Sequence, residues 1–115
     1  MSTNPLNPIS LTLAGATLPF VRYIRDGLPY IEFDSCGCRC PVPMHNAMLG
    51  LERIASSGER LVMVNGFEPA GLFERVRGGF VWQVEPLPQG RVRIVFNATA
   101  GASQIDFSER GCNGG

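Results

Sequence analysis

Neither sign of charge is in excess in this chain: ten basic and ten acidic side chains cancel to a formal net charge of zero, and charged residues make up only 17% of the whole. No long run of lysine or arginine occurs. The electrostatic footprint that grips nucleic-acid phosphates is therefore missing, and no direct nucleic-acid partner is expected. No apolar stretch approaches the roughly 20 residues that span a bilayer. Met1 to Ser10 also lacks the basic start and apolar run of a secretory leader. No membrane association is expected, and the expected address is cytoplasmic. Histidine is nearly absent, occurring once as His45.

What is present points to one small domain. At 115 residues with 44% hydrophobic side chains, the chain can bury one core and hardly two. Four cysteines in so short a chain suggest a disulfide framework where a protein is exported. Here nothing signals export, and Cys36, Cys38 and Cys40 are crowded together with Cys112 far off. Reduced thiols are the expectation.

Residues 1–27 carry apolar patches at Leu11 to Leu13 and Phe20 to Ile24 and end on Asp26-Gly27, a dipeptide suited to tight hairpins. They read as an N-terminal extension, either an extra strand pair or a loosely held arm. Tyr30-Ile31-Glu32-Phe33 reads as a first strand, closed by the turn formers Asp34, Ser35 and Gly37. Met44, Ala47, Met48, Leu51, Ile54 and Ala55 recur at intervals of three and four, which predicts a helix from about Pro41 to Ser57 stopped by Gly58. A buried strand follows over Arg60 to Val64, then a short helix from Glu68-Pro69 through Val76. Phe80 to Glu85 and Arg91 to Phe96 complete the set as two strands, the last with one wet face. The expected fold is α+β, a two-layer sandwich of order β-α-β-α-β-β. Its four-stranded mixed sheet carries two helices on one face. Met48, Leu51, Val62, Val64, Phe73 and Val92 are expected inside it. Residues 28–97 make up this domain, and residues 98–115 are expected to form a flexible C-terminal tail.

The chemistry is expected where the first strand hands over to the first helix. Proline suits the first helical position, because its missing N–H would have had no partner there. In Cys40-Pro41-Val42-Pro43 the predicted N-cap is therefore Cys40. A sulfur beside open amides and the positive end of the helix dipole favours thiolate, so Cys40 is the candidate nucleophile. A buried, inert cap cysteine is the alternative.

The Cys40-Pro41-Val42-Pro43 segment resembles the CPxP motif of the TusA/SirA/YedF sulfur-carrier family, and it lies in the same place, after a strand and before an amphipathic helix. The resemblance covers roughly residues 30–96. Gly58 to Leu61, Val64-Asn65, Glu68-Pro69 and Phe80 to Trp82 are similar to a sister family of the same fold, many of whose members lack the cysteine. The resemblance implies a protein that accepts sulfane sulfur on Cys40 as a persulfide and passes it on. Its partners would be a donor such as a cysteine desulfurase or rhodanese and a downstream acceptor protein. Such a carrier works by docking, without a substrate pocket of the usual kind and without a cofactor. It is a pathway component more than a stand-alone enzyme.

Cys36 and Cys38 lie outside that motif. In an extended segment, residues two apart point the same way and would set Cys36, Cys38 and Cys40 in a row about 7 Å apart. Such a row can resolve a persulfide, close a disulfide, pack inertly, or bind a soft metal with Cys112 or His45 as a fourth ligand. No metal is assigned. Arg39 is a candidate to hold the thiolate or an anionic sulfur donor, and His45 a candidate proton partner; the alternatives are an ordinary surface arginine and a solvated histidine. A regulatory or accessory binding module, with the cysteines structural or metal-binding, remains the competing function.

Overall fold

A computed structural model describes residues 6–108 of the chain. The fold is α+β: two helices on an open, six-stranded mixed sheet. The elements are β1 (Leu6–Leu11), β2 (Phe20–Arg25), β3 (Leu28–Asp34), α1 (Val42–Ser57), β4 (Arg60–Asn65), α2 (Ala70–Val76), β5 (Phe80–Pro86) and β6 (Val92–Ala98). Across the sheet the order is β1-β2-β3-β4-β6-β5. Only β3 and β4 run parallel, with α1 as their crossover.

The expected β-α-β-α-β-β order runs from β3 to β6, but the four-stranded sheet is corrected to six. Of the two readings of the N-terminal segment, the extra strand pair is the one that forms: β1 and β2 continue the sheet beyond β3. Periodicity hid β2, since both of its faces are covered. Phe20 stacks on Phe33 with ring centroids 4.9 Å apart, while Tyr23, three residues on and hence on the opposite face, stacks on Tyr30 at 5.4 Å. The β2–β3 turn forms as Asp26-Gly27 predicts, with both residues at positive φ (53° and 78°), as a two-residue hairpin of this type requires.

Both helices cover the same face of the sheet. Ala47, Met48, Leu51 and Ile54 of α1 are fully buried and share one core cluster with Ile31, Phe33, Leu61 and Met63. From α2, Phe73 stacks on Trp82 at 4.5 Å and tilts against Phe96 at 6.2 Å, on strands paired through Trp82 and Phe96. Each such side chain contributes roughly 1.5–3 kcal/mol on burial. All six residues expected inside the core are buried. Gly58 ends α1 in the left-handed region at φ 77°, giving its N–H to the Ile54 carbonyl at 3.0 Å.

A buried ion cluster then fixes α1 against β2. Glu59, only 4% exposed, accepts from Arg22 Nε at 2.6 Å, from Arg53 Nε at 2.7 Å and from Ser57 Oγ at 2.7 Å. Burial pushes its carboxyl pKa up, but the bonds from Arg53, Arg22 and Ser57 outweigh this and hold it at about 2.

The flexible tail expected over 98–115 is also corrected for its described part. A 3-10 helix, Ala100–Gln104, is capped by the Thr99 side chain, which accepts from the Gly101 N–H at 3.1 Å. Ala102 is buried, and Ile105 and Phe107 pack against the core. Cys112 and the terminal glycines lie outside the described residues.

Candidate functional site

The segment carrying the cysteines leaves the carboxyl end of β3 and is fastened to the segment leaving β4. Ser35, fully buried, is tied to the end of β4: its N–H donates to the Val64 carbonyl at 2.8 Å. Its hydroxyl lies 3.1 Å from that same carbonyl and 2.8 Å from Asn65 Oδ1. Asn65 in turn donates from Nδ2 to the Phe67 carbonyl at 2.9 Å. Parallel pairing of β3 and β4 puts both loops at one end of the sheet, so these bonds close a single platform. Sequence reasoning missed Ser35 and Asn65 as positioning residues; Asn65-Gly66 read only as a turn.

The cysteine segment is not extended, which corrects the expected row of three thiols. The Cys36 N–H donates to Asp34 Oδ1 at 2.8 Å, Gly37 sits at φ 78°, and the Cys38 N–H donates back to the Ser35 carbonyl at 3.0 Å. A turn therefore separates Cys36 from the other two. Cys36 faces Asp34 and Arg91; burial and then the Asp34 carboxylate raise its pKa, with Arg91 offsetting part of the effect. Cys38 and Cys40 instead share the wall of an apolar pocket of about 230 Å³. Pro43 and Met44 of α1, Met63 of β4, Leu72 of α2 and Phe67 also line it. Phe67 is 65% exposed. A carrier that works by docking alone leaves such a recess unexpected.

Cys40 is exposed but is not the N-cap: α1 begins at Val42 with Pro41 in the cap position, after a cis Cys40–Pro41 bond. Pro41 and Pro43 carry no N–H, and the Val42 N–H is given to the Arg39 carbonyl at 2.9 Å. The proline spacing that suggested a cap thus removes much of the open amide that was to stabilise a thiolate. Cys40 is moreover disulfide-bonded, and neither Cys36 nor Cys38 takes part, since both are free thiols. The expectation of reduced thiols is corrected at this position.

The remaining candidates separate. His45 is turned to the loop between β1 and β2, with Nε2 2.7 Å from the Gly15 carbonyl, so it anchors that loop and does not serve Cys40. Its neighbour Asn46, which sequence reasoning passed over, is fully buried there. It accepts from the Thr17 and Leu18 N–H groups and donates to Thr17 Oγ1 and the Val42 carbonyl. Arg39 is exposed, and its carbonyl is what engages the helix start. Among the described residues, no three His, Cys, Asp or Glu side chains converge on a point that a metal ion can occupy. No helix is long and apolar enough to cross a membrane. No family model, no curated protein and no solved structure matches the chain.

Proposed function

We propose that this chain is a sulfur carrier or thiol relay of the TusA-like kind, accepting sulfane sulfur as a persulfide on reduced Cys40 and passing it to a partner protein. The observation that carries the reading is that Cys40, an exposed residue at the β3–α1 junction, lines one apolar recess together with the thiol Cys38. Exposure admits a protein-bound sulfur donor, and the fastened loops hold the cysteine in place without a cofactor. A disulfide at Cys40 is consistent with a sulfur atom open to sulfur–sulfur exchange, and loading requires that bond to be reduced first. A cysteine desulfurase or rhodanese is the proposed donor, and the cytoplasm the proposed setting, because its thiol pools keep such a site reduced.

One observation favours a second reading. An oxidised Cys40 also suits an accessory binding module whose cysteines serve structure. Intact-protein mass spectrometry separates the two. Reduced protein treated with a charged rhodanese gains about 32 Da per sulfane sulfur under the carrier reading, lost again on adding dithiothreitol. Cys40→Ser gains nothing. Equal loading of Cys40→Ser, or no gain in the parent, leaves the binding module as the function.

A further inference from the structure

The sheet face turned away from the helices carries another recess, of about 540 Å³, which shares no residue with the one lined by Cys38 and Cys40. Gln83 and Glu85 of β5 and Arg93 and Asn97 of β6 line it; they alternate with the core residues Phe80, Ile94 and Phe96 and so point the other way. Side chains of the sheet itself supply cover here. Val62, alternating with Leu61 and Met63 of the core, is fully buried on this face. Tyr23, also buried, stacks on Tyr30 and donates its hydroxyl to Glu32 Oε1 at 2.6 Å. Arg25, Arg60 and Arg93 bring guanidinium groups to the recess, and Asp26 and Glu85 bring carboxylates. Arg93 is engaged, its Nη1 donating to Glu85 Oε1 at 2.9 Å. Arg60 lies over the ring of Tyr30, its partner across the β3–β4 pair, 5.9 Å from the ring centre. Among the described residues no carboxylate pairs with Arg25 or Arg60.

We infer that this recess binds a small phosphate monoester of the sugar-phosphate class, with Arg25 and Arg60 holding the phosphate. Two guanidinium forks without carboxylate partners, lining one recess, call for an anion with more than two oxygens. A carboxylate fills one fork, whereas a phosphate monoester offers three terminal oxygens and two charges. The volume falls within the range of small-molecule sites and leaves room for an organic group beyond the phosphate. The rest of the lining suits hydroxyl groups on that part. Asp26 and Glu85 accept hydrogen bonds, and the Gln83 and Asn97 amides both donate and accept. A ligand anionic along its whole length would instead meet two carboxylates. The site stands apart from the carrier reading, since Cys40 lines a different recess.

The test is isothermal titration calorimetry of the full chain with ribose 5-phosphate, inorganic phosphate and ribose at fixed ionic strength. Ribose 5-phosphate is expected to bind once per chain, at least about ten-fold more tightly than inorganic phosphate, and ribose to give no measurable heat. Arg25→Gln and Arg60→Gln are each expected to weaken ribose 5-phosphate at least about ten-fold. Arg77→Gln removes the same charge from an arginine that pairs with Glu74 outside the recess, and it is expected to bind like the parent. In the parent, the side-chain amide resonances of Gln83 and Asn97 are expected to shift with the ester, a readout that needs no variant to fold. The proposal is overturned if ribose 5-phosphate does not bind, if inorganic phosphate binds as tightly, or if Arg77→Gln loses as much as the other two. Unmoved Gln83 and Asn97 resonances at saturating ester overturn it as well.

Discussion

Cys36, Cys38 and Cys40 differ by what surrounds each sulfur. Burial and then the Asp34 carboxylate oppose ionisation of Cys36, whereas Cys40 is an exposed residue that lines the recess. In fully reduced protein at pH 7, Cys36 is expected to be the slowest of the three toward iodoacetamide, followed by timed quenching and peptide mapping. Arg91→Gln removes the one charge that offsets Asp34 and is expected to slow Cys36 further. If Cys36 proves the fastest, the assignment of its surroundings is wrong.

Glu59 gives the clearest pH dependence. Its folded pKa of about 2 lies below the ordinary value of 4.5, so the folded state prefers the carboxylate. The resulting stabilisation is complete above about pH 4.5 and is lost as pH falls towards 2, because protonated Glu59 no longer pairs with Arg22 and Arg53. The difference is on the order of 3 kcal/mol at neutral pH. Glu59→Gln is therefore expected to lower stability by about 2–3 kcal/mol at pH 7 and to narrow its gap from the parent as pH drops. Urea unfolding at pH 7, 4 and 2.5 measures both. A gap that does not change with pH excludes the ion cluster as its source.

At the level of elements, the close approaches between segments settle what the turns only hint at. The 3-10 helix Ala100–Gln104 lies so near the end of α2 that a Cβ at Gly101 would collide with the Gly78 carbonyl oxygen, a backbone atom with no room to yield. Gly101→Ala is expected to cost about 1–3 kcal/mol, an overpacking penalty that exceeds any gain in helix propensity. A thermal melt unchanged by this substitution places the segment off the core. α1 shows the opposite balance between local and tertiary control. Its apolar face and Gly58 stop are legible in the sequence, but its start is not. The prolines that mark the beginning also strip amides from it, and the turn through Arg39 and Val42 moves the cap from Cys40 to Pro41.

At the scale of the molecule, the N-terminal strands are structural members of the sheet. Phe20, 2% exposed, fills the space between Phe33 and Gly50, whose missing Cβ would meet Leu61 and the Phe20 ring, and Arg22 completes the Glu59 cluster. Deleting residues 1–25 opens this core, leaves Glu59 short of one arginine and frees the pairing edge of β3. The truncated chain is expected to lose cooperative unfolding, seen as a broadened or absent calorimetric transition. A sharp transition at the parent temperature means that residues 28–97 stand alone.

Local patterns by themselves determined much of this protein. Turn dipeptides such as Asp26-Gly27, the three-and-four spacing of α1 and the alternation of β6 announce their elements because each depends only on residues near in sequence. The β-α-β-α-β-β order and the junction at Cys40 follow from them. Only tertiary structure decided the rest. Whether β2 is a strand depends on Phe33 and Tyr30, which cover its two faces, and that contact is invisible to periodicity. Which cysteine faces Asp34 and which opens on the recess depends on Ser35 joining the segment after β3 to Asn65 at the end of β4, 30 residues away. Short-range spacing places three sulfurs near one another, but their different environments come from chain segments that only the folded sheet brings together.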